Sequence, residues 1–420
     1  MRKILPLIGF GIILFLALTP WQSVASYPVI GGVENTSIRR LVRLQRMDSA
    51  KLVRALPYGA RHGLPYIRLN LIDRPIDSNL VERDEALEEA LEDLIPNRGK
   101  AYSLAVMDIT PGREPRYAER RAAAGYQPGS VGKLAVITAL MCELENVFVD
   151  SVQQRWALLR NRKVKGGPFA VYDHHTIPAY DPETGNYSRP RVTEKDEFSL
   201  YEWADHMLSV SNNGAASVIW REAILMRVYG TKYPSLTPEE AANFFKETPR
   251  GELRDLSRSV ISEPLRHLGI GPDEFRVGTM FTRGASAIVP PEGGSQGSPR
   301  GLMKWLTALE SGNIIDAPSS LEIKRLLYMT DRRIRYANAP SLDSAAVYFK
   351  SGSLYGCKPG TSCGKYQGNR MNYMNSVCIV EQPDGTRYLV ALMTNVLNRN
   401  SAYDHQLLAK RIDGLVRKGE

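Results

Sequence analysis

The chain has 420 residues and a formal net charge of +9. This length predicts one enzyme-sized domain with additions. The surplus of Lys and Arg would suit an anionic cell envelope, but excess charge alone does not demonstrate nucleic-acid binding, and we expect no nucleic-acid partner.

Residues 1–25 are predicted to be a secretory signal peptide. Arg2 and Lys3 precede an apolar run at positions 4–18, and small residues lead to a predicted cleavage site after Ala25. The apolar run is short for a membrane span, so we expect a periplasmic or secreted protein with no stable membrane span after cleavage. An uncleaved N-terminal anchor is the alternative.

Residues 26–79 form a basic N-terminal extension in which basic residues stand among apolar ones. We predict a packed helix with a solvated basic face, and contact with a membrane surface or cell wall is the alternative. The basic positions are Arg39, Arg40, Arg43, Arg46, Lys51, Arg54, Arg61 and Arg68.

Residues 80–420 form the main predicted domain, which opens with a helix and two strands. An apolar stripe at helical spacing lies opposite acidic residues at positions 80–95. Positions 102–109 and 115–119 are predicted strands joined by a Pro-Gly turn. An apolar helical pattern then covers positions 129–145.

The remainder of this domain divides into a helical part and a second set of strands. Positions 148–300 are mainly helical and predict an all-helical lobe, in which the polar segment 172–195 is a cleft-side loop. No internal repeat is apparent, and the oligomeric state stays open. The predicted elements that follow are helices at 302–309 and 320–329, antiparallel strands at 347–350, 374–381 and 387–395, and a last helix at 402–416.

Three short motifs follow one another along this domain: Ser130-Val131-Gly132-Lys133, Ser211-Asn212-Asn213 and Lys350-Ser351-Gly352. A serine hydroxyl is a poor nucleophile until a base accepts its proton, and a lysine three residues later lies one helical turn away. Ser130 is therefore the candidate nucleophile and Lys133 its base. Lys133 can act only with a lowered pKa, which burial and the second cation, Lys350, would provide.

The other motif residues have predicted supporting roles. Ser211 could pass a proton between the lysines and the leaving group, and the Asn213 amide could hold a substrate carbonyl or anchor Lys133. Ser351, Gly352 and Ser353 would contact the substrate, because a small Gly352 lets a peptide approach the strand edge. The backbone N–H groups of Ser130 and Ser353 would face the developing oxyanion.

The order and context of these motifs resemble the active-site serine penicillin-recognising family, the class A β-lactamases and D-alanyl-D-alanine peptidases. Asn212 stands where that family usually has Asp. The resemblance implies an α/β (α+β) fold in which an antiparallel sheet is flanked by helices and faces an all-helical lobe. It also implies a serine hydrolase without metal or cofactor, whose partner is a peptidoglycan peptide or a β-lactam.

One departure from the family favours its peptidase branch. Class A enzymes carry an acid, followed four residues later by Asn, in the loop before the helix that begins here near Pro299, and that acid activates the deacylating water. The matching segment, Arg276 to Pro290, contains no acid. Glu239 with Asn243 has the spacing but lies early, inside a helical pattern. The alternatives are a class A-like β-lactamase and a non-catalytic relative that binds cell-wall peptide or a protein.

The carboxylate-binding residue is open. At the strand position where class A enzymes often have an arginine, this chain has Asn375, and Arg370 nearby is a weak substitute. The adjacent residues His174 and His175 could suggest a metal, but no further ligand follows at a compact spacing, so we expect them on the surface or the cleft wall.

The four cysteines divide into one predicted pair and two predicted thiols. Cys357 and Cys363 share a Gly- and Pro-containing loop and are the expected disulfide, which export would permit. Cys142 lies in an apolar helical pattern and Cys378 in an apolar strand, so both are expected to be buried thiols.

Overall fold

The computed structural model describes residues 31–50, 58–76 and 80–419, which form thirteen α-helices and eleven β-strands. The predicted signal peptide, Lys51 and Arg54 lie outside the described residues. The helices are α1 (Gly32–Thr36), α2 (Arg39–Ser49), α3 (Glu85–Leu94), α4 (Lys133–Val147), α5 (Val152–Asn161), α6 (Leu200–Ser209), α7 (Asn213–Tyr229), α8 (Pro238–Glu247), α9 (Arg250–His267), α10 (Arg283–Ile288), α11 (Pro299–Glu310), α12 (Ala317–Tyr328) and α13 (Ala402–Lys418). The strands are β1 (Tyr102–Asp108), β2 (Arg116–Arg120), β3 (Lys163–Lys165), β4 (Ala179–Tyr180), β5 (Tyr187–Ser188), β6 (Glu197–Ser199), β7 (Phe275–Arg276), β8 (Gln296–Gly297), β9 (Ala346–Gly356), β10 (Met371–Glu381) and β11 (Arg387–Asn395).

The central sheet has five antiparallel strands in the order β2-β1-β11-β10-β9. The strand β9 lies at one edge, and its register places Lys350 opposite Val377 and Gly352 opposite Asn375. The structure continues β9 beyond Lys350, where the predicted strand ended, to Gly356. An edge strand leaves one side of its backbone without a partner strand, which is where a peptide could add.

Both faces of this sheet are covered by helices. Every residue of β1 is buried, and side chains along a strand alternate between faces. Ala105 and Met107 pack into the core that includes α4 and α11, whereas Leu104 and Val106 pack into the core with α3 and α13. This arrangement confirms the predicted fold class, an antiparallel sheet flanked by helices.

The helices α5 to α10 form a lobe that packs on one side of α4. Nearly all residues of α4 are buried, because the helix packs against α7 and α9 of the lobe and belongs to the same core as one face of the sheet. The start of α4 therefore lies where lobe and sheet meet. Ser130 lies in the one-turn 3-10 helix Gly129–Gly132 just before it.

The N-terminal extension packs on the main domain. Its basic face was predicted to be solvated, but one of its arginines is buried. Arg40 of α2 is 4% exposed and donates two hydrogen bonds of 2.6 Å to the buried carboxylate of Asp205. Ile38 and Leu41 join the main core beside it. Burying an arginine is tolerable only with a paired anion, which Asp205 supplies. Among the described residues, no helix combines the length and the apolar character needed to cross a bilayer.

The cysteine pairing is as predicted, but Cys142, which was expected to be buried, is partly exposed. Cys357 and Cys363 form a disulfide in the connection between β9 and β10, with their Cα atoms 6.0 Å apart. Cys142 and Cys378 are free thiols. Cys378 is buried, and burial raises the pKa of the partly exposed Cys142 to about 11, so neither is a reactive thiolate at neutral pH.

Candidate active site

Ser130 and Lys133 are in direct contact at the start of α4. The Lys133 Nζ atom is 3.0 Å from Ser130 Oγ, and the lysine side chain is fully buried. The 3-10 turn places both side chains on the same side, as the three-residue spacing predicted. The predicted nucleophile and base are therefore brought together.

The second motif supplies the other oxygens around Lys133. The Lys133 amine lies 2.6 Å from the Ser211 carbonyl oxygen and 2.7 Å from Asn213 Oδ1. Neither oxygen can donate a hydrogen bond, so the amine donates to both. A neutral amine has two such hydrogens and one lone pair, and the lone pair is then left for the hydroxyl of Ser130. The surroundings of Lys133 thus orient it as a proton acceptor.

The turn between α6 and α7 gives Ser211 its orientation. Ser211 has a left-handed backbone conformation, with φ of 62°, and Asn212 caps α7 by accepting a hydrogen bond from Ala215 N. A non-glycine residue in this conformation is strained and persists only where its surroundings hold it. Here the strain directs the Ser211 carbonyl oxygen at Lys133.

Lys350 reaches the same serine from the edge strand. Its Nζ atom lies 3.0 Å from Ser211 Oγ, and Lys133 Nζ lies 3.3 Å from that oxygen. The hydroxyl can accept a hydrogen bond from Lys350, and from Lys133 once that amine is protonated, and it can still direct its own hydrogen into the cleft. Ser211 therefore lies between the two lysines, where a proton relay needs it.

Burial changes the protonation of both lysines. Burial lowers the pKa of Lys133 to about 7, although the negative charge of Asp173 acts in the opposite direction. Burial, together with the positive charges of Lys133 and Arg335, lowers the pKa of Lys350 well below its usual range. States in which at least one amine is neutral are therefore favoured near pH 7, as general-base catalysis by Lys133 requires.

The strand β9 packs tightly against the turn that carries the nucleophile. A Cβ atom on Gly352 would lie 2.0 Å from the Pro128 carbonyl oxygen and 3.1 Å from the Ser130 nitrogen. One on Gly129 would lie 2.7 Å from the Ser353 nitrogen. Glycine at both positions brings the backbone nitrogens of Ser130 and Ser353 into the same small region, where the oxyanion was predicted to bind.

This packing corrects the predicted reason for a glycine at position 352. The sequence suggested that Gly352 admits the substrate, whereas the structure shows that it admits the nucleophile turn. Ser351 and Ser353 do line the cleft, beside Lys350. Asn375, which stands where class A enzymes often have a carboxylate-binding arginine, is fully buried and donates to the carbonyl oxygens of Gln127 and Pro128. Its amide therefore supports the turn from behind.

Asp173 is a residue of the site that the sequence did not reveal. Its buried carboxylate accepts hydrogen bonds from the backbone nitrogens of Asn213, at 2.6 Å, and Gly214, and it bonds His175 Nδ1 at 2.6 Å. These bonds and the positive end of the α7 dipole favour the carboxylate, whose pKa lies well below its usual range. The loop at 172–195, predicted to lie beside the cleft, thereby holds the Asn213 backbone in place.

The same loop contains a group that could be mistaken for a metal site. Ligand atoms of Asp173, His174 and His175 lie within 4.8 Å of one another. However, the carboxylate oxygens of Asp173 already accept two hydrogen bonds that fix the start of α7 and bond the His175 imidazole, and a metal would have to displace these contacts. We assign no metal here, and both histidines line the cleft wall.

Arg335 is a second residue that the sequence did not single out. It is 7% exposed, donates to the Gly352 carbonyl oxygen at 2.8 Å, and has its guanidinium carbon 5.3 Å from the centre of the Tyr366 ring. It adds positive charge beside Lys350 without lining the cleft itself. Arg370, the weak substitute considered above, is likewise not among the cleft residues.

The side of Lys133 that faces the 276–290 segment is apolar. The centre of the Phe281 ring lies 5.1 Å from Lys133 Nζ, and the ring packs against Gly132. The loop is held there by a hydrogen bond from Phe281 N to Ser217 Oγ. Glu239 is not a water base in this arrangement, because no residue of α8 lines the cleft.

The cleft around these groups has a volume of about 1080 Å³. This exceeds the roughly 300–1,000 Å³ typical of pockets for small molecules. Asp331 is the only carboxylate lining it among the described residues, and that carboxylate forms an ion pair with Arg189 at 3.0 Å. The cleft therefore has space for a peptide and carries an excess of positive groups.

The titration of Lys133 gives a testable pH dependence. Penicillin labelling should fall as the pH drops below about 7, because Lys133 becomes protonated and can no longer accept the Ser130 proton. Asp173→Asn removes a negative charge that favours the protonated amine. The pH at which labelling begins to fall should therefore be lower in this variant. Rate constants for labelling, measured from pH 5 to 9, would show the shift.

The control for that experiment is His175, a titratable neighbour of Asp173 whose pKa is lowered from the usual histidine value by burial. The variant His175→Gln should leave the pH at which labelling falls unchanged. The assignment to Lys133 would be contradicted if the fall in labelling disappeared in His175→Gln, or if it occurred at higher pH in Asp173→Asn.

Comparison with known proteins gives a family and a fold. Residues 86–412 match the sequence model of the beta-lactamase enzyme family, and this span contains all three motifs. No curated protein matches the chain at the sequence level. The family match confirms the resemblance predicted from the motifs.

Solved structures similar to this chain include both penicillin-binding proteins and β-lactamases. The L158E mutant of PBP-A, an acyl-enzyme complex with penicillin G, is 13% identical, covers 80% of this chain and 98% of its own, and has a TM-score of 0.50. A β-lactamase from Chitinophaga pinensis DSM 2588 is 13% identical, and the match covers 80% of this chain and 100% of that β-lactamase, with a TM-score of 0.50. The extended-spectrum β-lactamase TLA-3 is 13% identical, and the match covers 79% of this chain and 99% of TLA-3, also with a TM-score of 0.50. At these identities the likeness establishes the fold.

Proposed function

The chain belongs to the beta-lactamase enzyme family and is a serine hydrolase of that type, and on this premise we propose that it acts on D-Ala-D-Ala-type cell-wall peptides through a Ser130 acyl-enzyme. On this proposal it also reacts with β-lactams but releases them slowly. A class A-like β-lactamase is the second candidate, since the family includes such enzymes. The two candidate functions differ in whether a base activates the water that hydrolyses a β-lactam ester on Ser130.

The contacts around Ser130 support the following acylation step. The Ser130 hydroxyl gives its proton to Lys133 while Oγ attacks the carbonyl carbon of the substrate. The backbone N–H groups of Ser130 and Ser353 would stabilise the negative oxygen that forms. The proton then passes from the lysine pair through Ser211 to the leaving amine, and the C–N bond breaks to leave an ester on Ser130.

The observation that favours a peptidase is the phenylalanine beside Lys133. Water attack on a β-lactam ester needs a base on the side that the acylation lysine does not serve, because the opened β-lactam keeps its leaving group in the site. The Phe281 ring occupies the lobe side of Lys133 and cannot accept a proton. A peptide substrate instead loses its amine product, which leaves space for water near Lys133 and Ser211.

The proposed location is the periplasm or the cell exterior. The signal peptide predicted for residues 1–25 would direct export, and the Cys357–Cys363 disulfide suits an oxidising compartment. Cell-wall peptides are reached there. Intact mass of the mature protein isolated from its host would report whether cleavage follows Ala25.

Intact-mass spectrometry after a pulse of penicillin tests the proposed function. We expect one added penicillin per chain that persists for many minutes after the free drug is removed, together with release of D-alanine from a D-Ala-D-Ala peptide. Rapid loss of the adduct and fast turnover of a chromogenic cephalosporin would instead assign the β-lactamase activity. Absence of any adduct would favour a non-catalytic relative.

A further inference from the structure

The cleft extends beyond the reacting groups to a rim made by the end of β9 and the connection between β9 and β10. Tyr355, Lys365 and Tyr366 line it there, and Arg332 lines it from the segment after α12. We call these four residues the rim subsite. No mechanistic step requires them, so their chemistry must be explained separately.

The aromatic part of this rim is held in a fixed arrangement. The rings of Tyr355 and Tyr366 meet edge to face with centres 5.7 Å apart, and the buried Arg335 stacks on Tyr366 from behind. The Tyr366 carbonyl oxygen accepts a hydrogen bond from the buried Asn372 amide. The disulfide closes the loop that separates the two tyrosines. Tyr355 nevertheless stays 39% exposed, so its ring offers apolar surface to a ligand.

The charges of the rim subsite are not neutralised by the protein. Lys365 is exposed and lies 5.4 Å from the Tyr366 ring centre, and Arg332 is exposed. Within the part of the chain that the structure describes, neither forms a side-chain ion pair, whereas the Asp331 carboxylate, which also lines the cleft, is paired with Arg189. Two cations beside an exposed ring are suited to carboxylates borne on an aliphatic peptide.

We propose that the rim subsite binds side-chain carboxylates of an acidic peptide that extends beyond the bond attacked by Ser130. This inference rests on the proposed function and refines it. The enzyme selects anionic, multi-residue peptides through Arg332 and Lys365, while Tyr355 and Tyr366 support the intervening chain. Small β-lactams, which end near Ser130 and Lys350, do not reach this subsite.

Competition with fluorescent penicillin tests the inference without requiring peptide turnover. Two peptides ending in D-Ala-D-Ala are compared, one with upstream side-chain carboxylates and a copy with those carboxylates amidated. Exposed ion pairs contribute up to about 5-fold each, so the acidic peptide should compete about 5–20-fold better than its copy. The double variant Arg332→Gln/Lys365→Gln should remove that preference and leave penicillin labelling without peptide unchanged.

Two further variants make the result specific. Lys358→Gln removes a cation from the same loop that does not line the cleft, and it should keep the preference for the acidic peptide. Cys357→Ser/Cys363→Ser opens the loop and should weaken competition by both peptides without slowing penicillin labelling. This second variant tests the contribution of Tyr355 and Tyr366 to peptide binding independently of the charges.

The outcomes separate the two proposals. Equal competition by the acidic and amidated peptides, no competition by either, or the same effect from Lys358→Gln as from Arg332→Gln/Lys365→Gln would overturn the inference. An acidic peptide that competes through Arg332 and Lys365 but releases no D-alanine would support the rim subsite and contradict the proposed peptidase function.

Discussion

Replacing Ser130 with alanine is expected to abolish covalent labelling by fluorescent penicillin while the protein stays folded. The Oγ atom beside Lys133 Nζ is the proposed site of ester formation, and its removal would leave no nucleophile at the start of α4. The side chain is only half-buried and one oxygen is lost, so no sizeable cavity forms. Circular dichroism and the thermal unfolding midpoint should therefore match those of the wild-type protein.

The chain contains its own matched control for this variant. Ser362 and Lys365 repeat the three-residue spacing of the first motif, but both are exposed in the connection between β9 and β10, where Ser362 lies in the loop closed by the disulfide. Ser362→Ala should label at the wild-type rate. Lys133→Ala keeps the nucleophile and should slow labelling by about 10²–10⁴-fold, the usual contribution of a general base. Labelling of Ser130→Ala at the wild-type rate would identify another nucleophile.

The parts of the site that depend on local spacing could be predicted from the sequence. Ser130 and Lys133 lie one turn apart in any helical conformation, so their contact needs no knowledge of the rest of the fold. The strands of the central sheet were predicted as well, apart from the continuation of β9 to Gly356, because their apolar runs are bounded by turn residues. The three motifs then indicated which distant segments meet.

The parts that depend on tertiary contacts could not be predicted in this way. Asp173 bonds the Asn213 backbone across a loop and a helix, and nothing in its own neighbourhood distinguishes it from a surface acid. Arg40 was expected in solvent because arginine is seldom buried, yet Asp205 makes its burial possible. Each of these charged residues is explained by a partner that only the folded chain brings close.

The variant Phe281→Glu is expected to convert slow release of penicillin into rapid hydrolysis. The Phe281 ring lies 5.1 Å from Lys133 Nζ, on a loop held by Ser217, so a carboxylate at this position would project toward the ester on Ser130. It could then accept a proton from an attacking water, and general-base assistance is worth about 10²–10⁴-fold. The decay of the penicillin adduct, followed by intact mass, measures the change.

The variant Phe281→Gln is the matched control, because glutamine has the size of glutamate and cannot act as a base at neutral pH. If removal of the ring alone admitted water, both variants would accelerate adduct decay equally. If the missing base is the cause of the long lifetime, only Phe281→Glu should do so, and its effect should disappear as the new carboxylate is protonated at low pH. Equal adduct lifetimes in the two variants would contradict a missing base as the cause of the long lifetime. Rapid decay in the wild-type enzyme would show that deacylation uses another base, and the chain would then be assigned to the β-lactamase branch.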